Sequence, residues 1–419
     1  FFKDIKKDRI VPGLVNSAGS IASACVRLPD RNYNETDRKL DRILTGRLAA
    51  YPAMAGLLAL IFWITLAGAN QLSALLSDLL FSFQHVLEQV LLFLHVPVLL
   101  REAFIYGIYQ VLAWVVSVML PPMAVFFPLF TLLEDSGYLP RIAYNLDRPF
   151  QCCKACGKQA LTMAMGFGCN AAGITGCRII DSPRERLIAI LTNNFMPCNG
   201  RLPLFITLIL LFLCSSQQNA ASYAVSALIL TLFILLGIAM TFLSSYLLSA
   251  TVLRGVSSSF TLEMPPYRRP QIGKVILRSV TDRTLFVLGR AAAVAAPAGL
   301  ILWLLANVSP GGISLLSRIS LILDPLGRLL GMDGVILTAF ILGLPANEIV
   351  LPIILMAYTA QGNLTGYAST LQLKHILTAN GWTWNTAVCV MLFSLMHWPC
   401  STTLITIYKE TKSARWTLV

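Results

Sequence analysis

The run LAAYPAMAGLLALIFWITLAGAN at 48–70 contains no charged residue. As a helix it is long enough to cross the roughly 30 Å hydrocarbon layer of a bilayer. Comparable apolar runs lie at about 103–133, 187–214, 221–253, 284–306 and 384–408, which gives six expected full spans. The run at 103–133 is expected to be interrupted at Pro121-Pro122. Composition agrees, with 56% hydrophobic and only 12% charged residues over 419 positions and a mean hydropathy of +0.70. A soluble domain could not keep that much apolar surface dry, so the expected class is an all-α polytopic membrane protein. The same apolar bulk argues against nucleic-acid binding as the reason for the +12 net charge. The ten cysteines show no paired spacing, and free thiols are expected rather than a disulfide framework.

Cytoplasmic loops collect Lys and Arg, so charge gives orientation. Residues 1–47 carry Lys3, Lys6, Lys7, Arg9, Arg38, Lys39, Arg42 and Arg47 and read as a cytoplasmic helical lead-in. Phe1 stands where Met is usual, and further sequence is expected before it. Residues 48–102 hold the first span and then, at 71–97, a stretch with Asp78, His85, Glu88 and His95 that suits an amphipathic helix on the far surface. The loop at 254–283 sets six basic residues against Glu263 and Asp282, a strong inside marker. SSQQNAAS at 215–222 and NVSPGG at 307–312 carry no charge and read as external. The tail with Lys409, Glu410, Lys412 and Arg415 reads as internal, which places both termini in the cytoplasm.

Two apolar stretches, 159–180 and 333–358, are left without a partner crossing and must enter and leave on one side. Both are punctuated by Gly and polar residues, as re-entrant hairpins are. The hairpin with GCN at 168–170 precedes a span broken at MPCNGRLP (196–203); the hairpin with GLPANEIVLP (343–352) precedes one broken at HWPCSTTL (397–404). The expected organisation is therefore an inverted repeat, with a first repeat at 103–253, the basic loop at 254–283, and a second repeat and tail at 284–419. Interrupted segments at corresponding positions of inverted halves point to a transport site near the midplane.

Proline removes a backbone donor and frees the carbonyl four residues before it. Pro197, Pro203, Pro345, Pro352 and Pro399 would free the carbonyls of Asn193, Asn199, Ile341, Glu348 and Leu395, which attract cations. Beside them stand the thiols Cys169, Cys198 and Cys400, the amides Asn170, Asn199 and Asn347, the thioether Met196, the imidazole His397 and the carboxylate Glu348. Mixed sulfur, nitrogen and oxygen donors suit a borderline divalent transition metal better than Mg²⁺ or Na⁺. Cys177, Cys214 and Cys389 read as packing residues, His397 equally well as a cap on a carbonyl, and CCKAC at 152–156 as a loop feature lacking a second Cys pair. An organic-solute transporter would want an aromatic-lined pocket. A membrane enzyme would want a motif such as H-E-x-x-H, which the four histidines do not form.

At DRKLDRILTGR (37–47), LLEDSGYLPRIAYNLDR (132–148), GFGCNAAGI (166–174), RERLIAILTNNFMPCNGRLPLF (184–205) and WPCSTTLITIYKETKSARW (398–416) the chain resembles the bacterial ferrous iron transporter family FeoB over nearly its whole length. That resemblance implies an inner-membrane importer of Fe²⁺ with two gate repeats. It also implies GTP and Mg²⁺ used by a GTPase domain or subunit, small cytoplasmic Feo accessory proteins as partners, and leaves homo-oligomerisation open. No G-x-x-x-x-G-K-[ST] occurs in this sequence, so the GTPase is expected on another chain, cut away or lost. The family commonly has CSARLP where this chain has CNGRLP, and Lys in place of Asn347. Asn199 and Asn347 thus keep a different metal, such as Mn²⁺, open, and similar gate repeats keep a nucleoside-like solute open.

Overall fold

In the computed structural model, residues 50–418 are described apart from 154, 214–219, 255–270, 311, 361, 363 and 365–369, together with 17–22, 24–25, 41–42 and 44–46. Most of the basic lead-in, most of the basic loop at 254–283, and Cys214 lie outside the described residues. The described chain is helical, with no strand among the described residues. Helix α1 (Ala50–Phe93) is 44 residues long, or about 66 Å. It runs through residue 70 without a break, so the expected first span and surface helix form one rod. Nothing between Pro52 and Phe93 interrupts the helical backbone; it ends beyond Phe93, where His95 turns to φ 54.

Helix α2 (Val98–Asp135) packs along α1. It too runs on where a break was expected, with Pro121, Pro122 and Pro128 inside it. The carbonyl that Pro121 frees, that of Ser117, accepts from the Ser73 hydroxyl on α1 at 2.5 Å. A neighbouring helix thus supplies the missing donor, which is how membrane helices tolerate proline.

After α2 come α3 (Tyr138–Cys152), α4 (Lys158–Gly168), α5 (Asn170–Gly176), α6 (Pro183–Thr192), α7 (Leu202–Leu213), α8 (Ala220–Ala250) and α9 (Leu285–Asn307). The second half continues with α10 (Leu315–Leu329), α11 (Gly334–Leu342), α12 (Val350–Thr359), α13 (Thr370–Ala379), α14 (Trp384–Met396) and α15 (Ser401–Thr411). Among the described residues, five helical stretches are long and apolar enough to cross a membrane, or six if α10 and α11, bent by 108°, count as one broken span. The chain is an all-α polytopic membrane protein.

Both expected hairpins are present, and their register is closer than the Gly and Pro breaks alone indicate. Arg141 and Arg318, Asp147 and Asp324, Gly157 and Gly334, Gly166 and Gly343, and Asn170 and Asn347 are each 177 positions apart. The bonds repeat with the residues. Asp147 Oδ1 accepts from the Gly157 amide at 2.8 Å, and Asp324 Oδ1 from the Gly334 amide at 3.1 Å. Each carboxylate thereby caps the start of its hairpin. Glycine is required at both positions, because a Cβ on Gly157 would lie 2.7 Å from Asp147 Cα and one on Gly334 2.8 Å from Asp324 Cα. At the hairpin tips, Cys169 sits at φ −155, ψ 125 and Ala346 at φ −154, ψ 125. Asn170 then opens α5, and Asn347 opens the 3-10 turn Asn347–Ile349 that leads into α12. Replacing Asp147 or Asp324 with Ala is expected to cost about 1 kcal/mol each, the usual loss of a capping bond. A fall in thermal midpoint of the purified protein reads it.

Candidate metal pathway

The two spans expected to break are broken. The backbone between α6 and α7 leaves the helix after the 3-10 turn at Asn193–Phe195, with Met196 extended at φ −77, ψ 122. Between α14 and α15, His397 lies at φ −71, ψ 172 and Cys400 at φ −62, ψ 158. Each break is tied to the hairpin tip of its own repeat. In the first, Asn193 Nδ2 donates to the Asn170 carbonyl at 3.2 Å. With its amide turned to satisfy both ends, Asn170 Nδ2 donates to Met196 O at 3.3 Å and to Gly166 O at 3.1 Å. In the second, the Ser401 amide donates to Leu344 O at 2.7 Å and its hydroxyl to Pro345 O at 3.3 Å.

Where tips and breaks meet there is a cavity of about 30 Å³, room for one or two water-sized occupants. Its lining includes Cys169, Asn170, Cys198, Asn199, Asn347, Glu348 and Cys400. The structure thus gathers residues from four separate segments that the sequence proposed as one set. Cys400 Sγ lies 3.1 Å from Thr403 Oγ1. The cysteines of this lining are free thiols.

Two candidates from the sequence lie elsewhere. Met196 is fully buried in an apolar cluster with Phe150, Met163 and Phe167. His397 is buried, its Nδ1 2.9 Å from the Ser394 carbonyl and its ring 5.1 Å from Phe340 and 5.7 Å from Trp398. It packs and caps, and it does not line the cavity. Three expected free carbonyls are also already taken. Asn193 O accepts from the Met196 amide at 3.2 Å and Ile341 O from that of Leu344 at 3.3 Å. Leu395 O accepts from Arg201 at 3.4 Å. The local turns at the first two, and a side chain from the other repeat at the third, replace the donor that proline removed.

Other lining residues carry no signal that sequence reasoning used: Met119 and Met123 from α2, Thr403 from α15, and Gly200. Gly200 matters because Glu348 sits against it. A Cβ there would lie 2.5 Å from Glu348 Oε1 and 2.7 Å from Cδ. Gly200, Asn347 and Glu348 also line a second cavity of about 120 Å³ that reaches Trp114, Val118 and Thr207. In the opposite direction Ala171, next to Asn170, and Thr406, one turn beyond Thr403, line a vestibule of about 690 Å³. Helix α2 borders all three spaces, with Trp114 and Val118, Met119 and Met123, then Phe127, Phe130 and Glu134. The three border α2 in succession along its length. The vestibule ends in charge, where Arg178 grips Glu410 at 2.7 Å and Lys158 meets Asp181 at 2.6 Å. Lys158 holds the Asp181 carboxyl below the usual carboxylate range. Among the described residues no three His, Cys, Asp or Glu side chains converge to hold a metal ion. The lining donors do not form a closed coordination shell.

The comparisons with known proteins fit this arrangement. A gate family described as nucleoside recognition matches residues 116–212 and 288–414, the two repeats just described. A second family, the C terminus of ferrous iron transport protein B, matches 230–282 between them. The chain belongs to the FeoB family. It corresponds to the FeoB membrane domain. It is 30% identical over 409 residues to the Fe(2+) transporter FeoB of Staphylococcus aureus (strain COL), covering 94% of this chain and 57% of that protein. FeoB of Synechocystis sp. is 27% identical over 406 residues, 94% of this chain and 62% of that one. FeoB of Methanocaldococcus jannaschii is 27% identical over 390 residues, 90% and 55%. The chain thus spans little more than half the length of these relatives. No solved structure matches it.

Proposed function

We propose that this FeoB-type domain carries Fe²⁺ across the bacterial cytoplasmic membrane, inward, through the line of cavities between the two repeats. The observation that carries the reading is the central cavity, where three thiols, three carboxamides and one carboxylate from both repeats face about 30 Å³. Thiolate, carboxylate and amide oxygen together suit a borderline divalent ion. A nucleoside-sized cargo needs several hundred Å³ at its binding site, so the nucleoside reading fits this junction poorly. Mn²⁺ remains the nearest rival cargo, since Asn199 and Asn347 add hard oxygen donors. The GTPase and the small accessory proteins implied by the family would act from the cytoplasmic side.

Uptake of Fe²⁺ into proteoliposomes, with Mn²⁺ as competitor, tests the assignment. Saturable Fe²⁺ entry that excess Mn²⁺ inhibits only weakly is expected. Entry of Mn²⁺ but not Fe²⁺ would overturn the choice of metal. Orientation is part of the same proposal: a Cys at Ser413, on a background without native thiols, should react only with reagent supplied from the cytoplasmic side. A Cys at Ser309 should react from outside, and the reverse pattern would invert the topology.

A further inference from the structure

Three residues after Cys198 the chain places a guanidinium where the passage of a cation does not call for one. Arg201 is 1% exposed. Among the described residues no carboxylate lies within ion-pair distance of it. Its Nη1 donates to the Asn194 carbonyl at 2.9 Å and to the Leu395 carbonyl at 3.4 Å, and Nη2 donates to Asn194 Oδ1 at 3.1 Å. Asn194 Nδ2 in turn donates to His397 O at 2.7 Å. Among the described residues the buried Nε has no hydrogen-bond partner. The arrangement is one-sided. Cys198 and Cys400 are 202 positions apart, and the same offset from Arg201 leads to the uncharged Thr403.

A buried charge with no ion partner costs several kcal/mol unless the local field favours it. Here the field comes from backbone. Leu395 lies in the last turn of α14, and Asn194 in the 3-10 turn that ends α6. Each helix C-terminus carries about half a negative charge, so the two together roughly offset one cation. In transporters built from interrupted spans, such half-helix ends and unwound carbonyls are where coupling ions bind. In this chain they hold the protein's own side chain, which stays protonated at any ordinary pH.

We propose that Arg201 is a tethered permanent cation occupying the place between the two broken spans where a coupling ion would bind, so that neither the joining of the repeats nor the transport step draws on sodium. The transport half of this statement rests on the iron-uptake reading. The occupancy half does not.

The full chain is tested for both. Thermal midpoints are measured in sodium chloride, in N-methylglucamine chloride, and with methylguanidinium at non-denaturing concentration. The wild type should give one midpoint in all three. Arg201→Ala and Arg201→Gln should melt lower and be raised by roughly 2 °C or more by methylguanidinium. If those variants do not fold, Arg201→Lys keeps a cation and should melt at an intermediate temperature, still indifferent to sodium. A wild type stabilised by sodium over N-methylglucamine would overturn the proposal. So would variants that no cation restores, which would make Arg201 a packing cross-link. In proteoliposomes, equal initial Fe²⁺ rates with and without an inward sodium gradient are expected, and a gradient-dependent rate would overturn the coupling half. Absence of Fe²⁺ entry under every condition would count against the iron reading while the thermal results still decide the occupancy.

Discussion

Replacing Cys198 or Cys400 with Ala is expected to lower the initial rate of Fe²⁺ uptake by about 10- to 100-fold, the loss typical when even the outer partners of a metal site are removed. The two thiols lie in corresponding Pro-Cys breaks of the two repeats and line the same small cavity. On the proposed path, a dehydrating Fe²⁺ would have few soft donors to exchange for water. Removing one leaves a gap that Ala cannot fill chemically and that water fills only in part. Cys389→Ala serves as the control, because Cys389 lies outside this lining and packs at the edge of the main core. Its uptake should stay within about twofold of wild type. Similar rates for all three variants would remove the thiols from the path.

Glu348→Gln should weaken uptake by a comparable factor, and it should also flatten the dependence on pH. Among the described residues, the carboxylate is the one acidic group in the lining of the central cavity. Metal ligands must be deprotonated to bind, so protons compete with the ion and affinity falls on acidification. Gln keeps the shape and removes the charge, leaving only the thiols to compete with protons. Gly200 offers an independent handle on the same group. Gly200→Ala would put a methyl 2.5 Å from Glu348 Oε1, so the carboxylate must swing away. Uptake should fall, and the shorter Glu348→Asp added to Gly200→Ala should recover part of it. The double variant distinguishes a displaced carboxylate from a general packing defect, which Asp would not repair. Superimposable metal affinities of wild type and Glu348→Gln across mildly acidic to neutral pH would make Glu348 a structural residue.

Much of this architecture is legible in the amino-acid sequence, for identifiable reasons. Apolar runs and Gly and Pro breaks each carry a local physical meaning, so the all-helical membrane class, the hairpins and the two interrupted helices follow from them. By contrast, the stretch at 71–97 continues α1 instead of forming a separate surface helix, and α2 runs on through its prolines. Cys169, Asn170, Cys198, Asn199, Asn347, Glu348 and Cys400 stand out because polar residues beside a break in a membrane helix are rarely there for packing. The same rule misleads for Met196 and His397, since adjacency to a break does not say which way a side chain points. At Pro121 in α2, Ser73, remote in sequence, supplies a donor to the freed Ser117 carbonyl. The 177-residue register from Arg141 to Asn170 is present in the sequence, but its signal is five matched pairs, two of them in the amphipathic helices α3 and α10 and three in the hairpins that follow, easily passed over beside the apolar spans. Arg201 is invisible as a site residue because a charge next to a span normally reads as a loop marker, and only the meeting of two helix ends accounts for its burial. Met119 and Met123 look like any other apolar residues of a long helix.

Iron is expected to meet the thiols of both repeats in one place. X-ray absorption at the iron edge of the full chain loaded with Fe²⁺ tests it without relying on transport. The wild type should show sulfur neighbours at about 2.3 Å, the usual metal–thiolate distance, and these should vanish in a protein carrying Cys169→Ser, Cys198→Ser and Cys400→Ser. A shell of oxygen and nitrogen alone in the wild type, or sulfur neighbours that persist in the triple variant, would mean that iron does not meet these thiols.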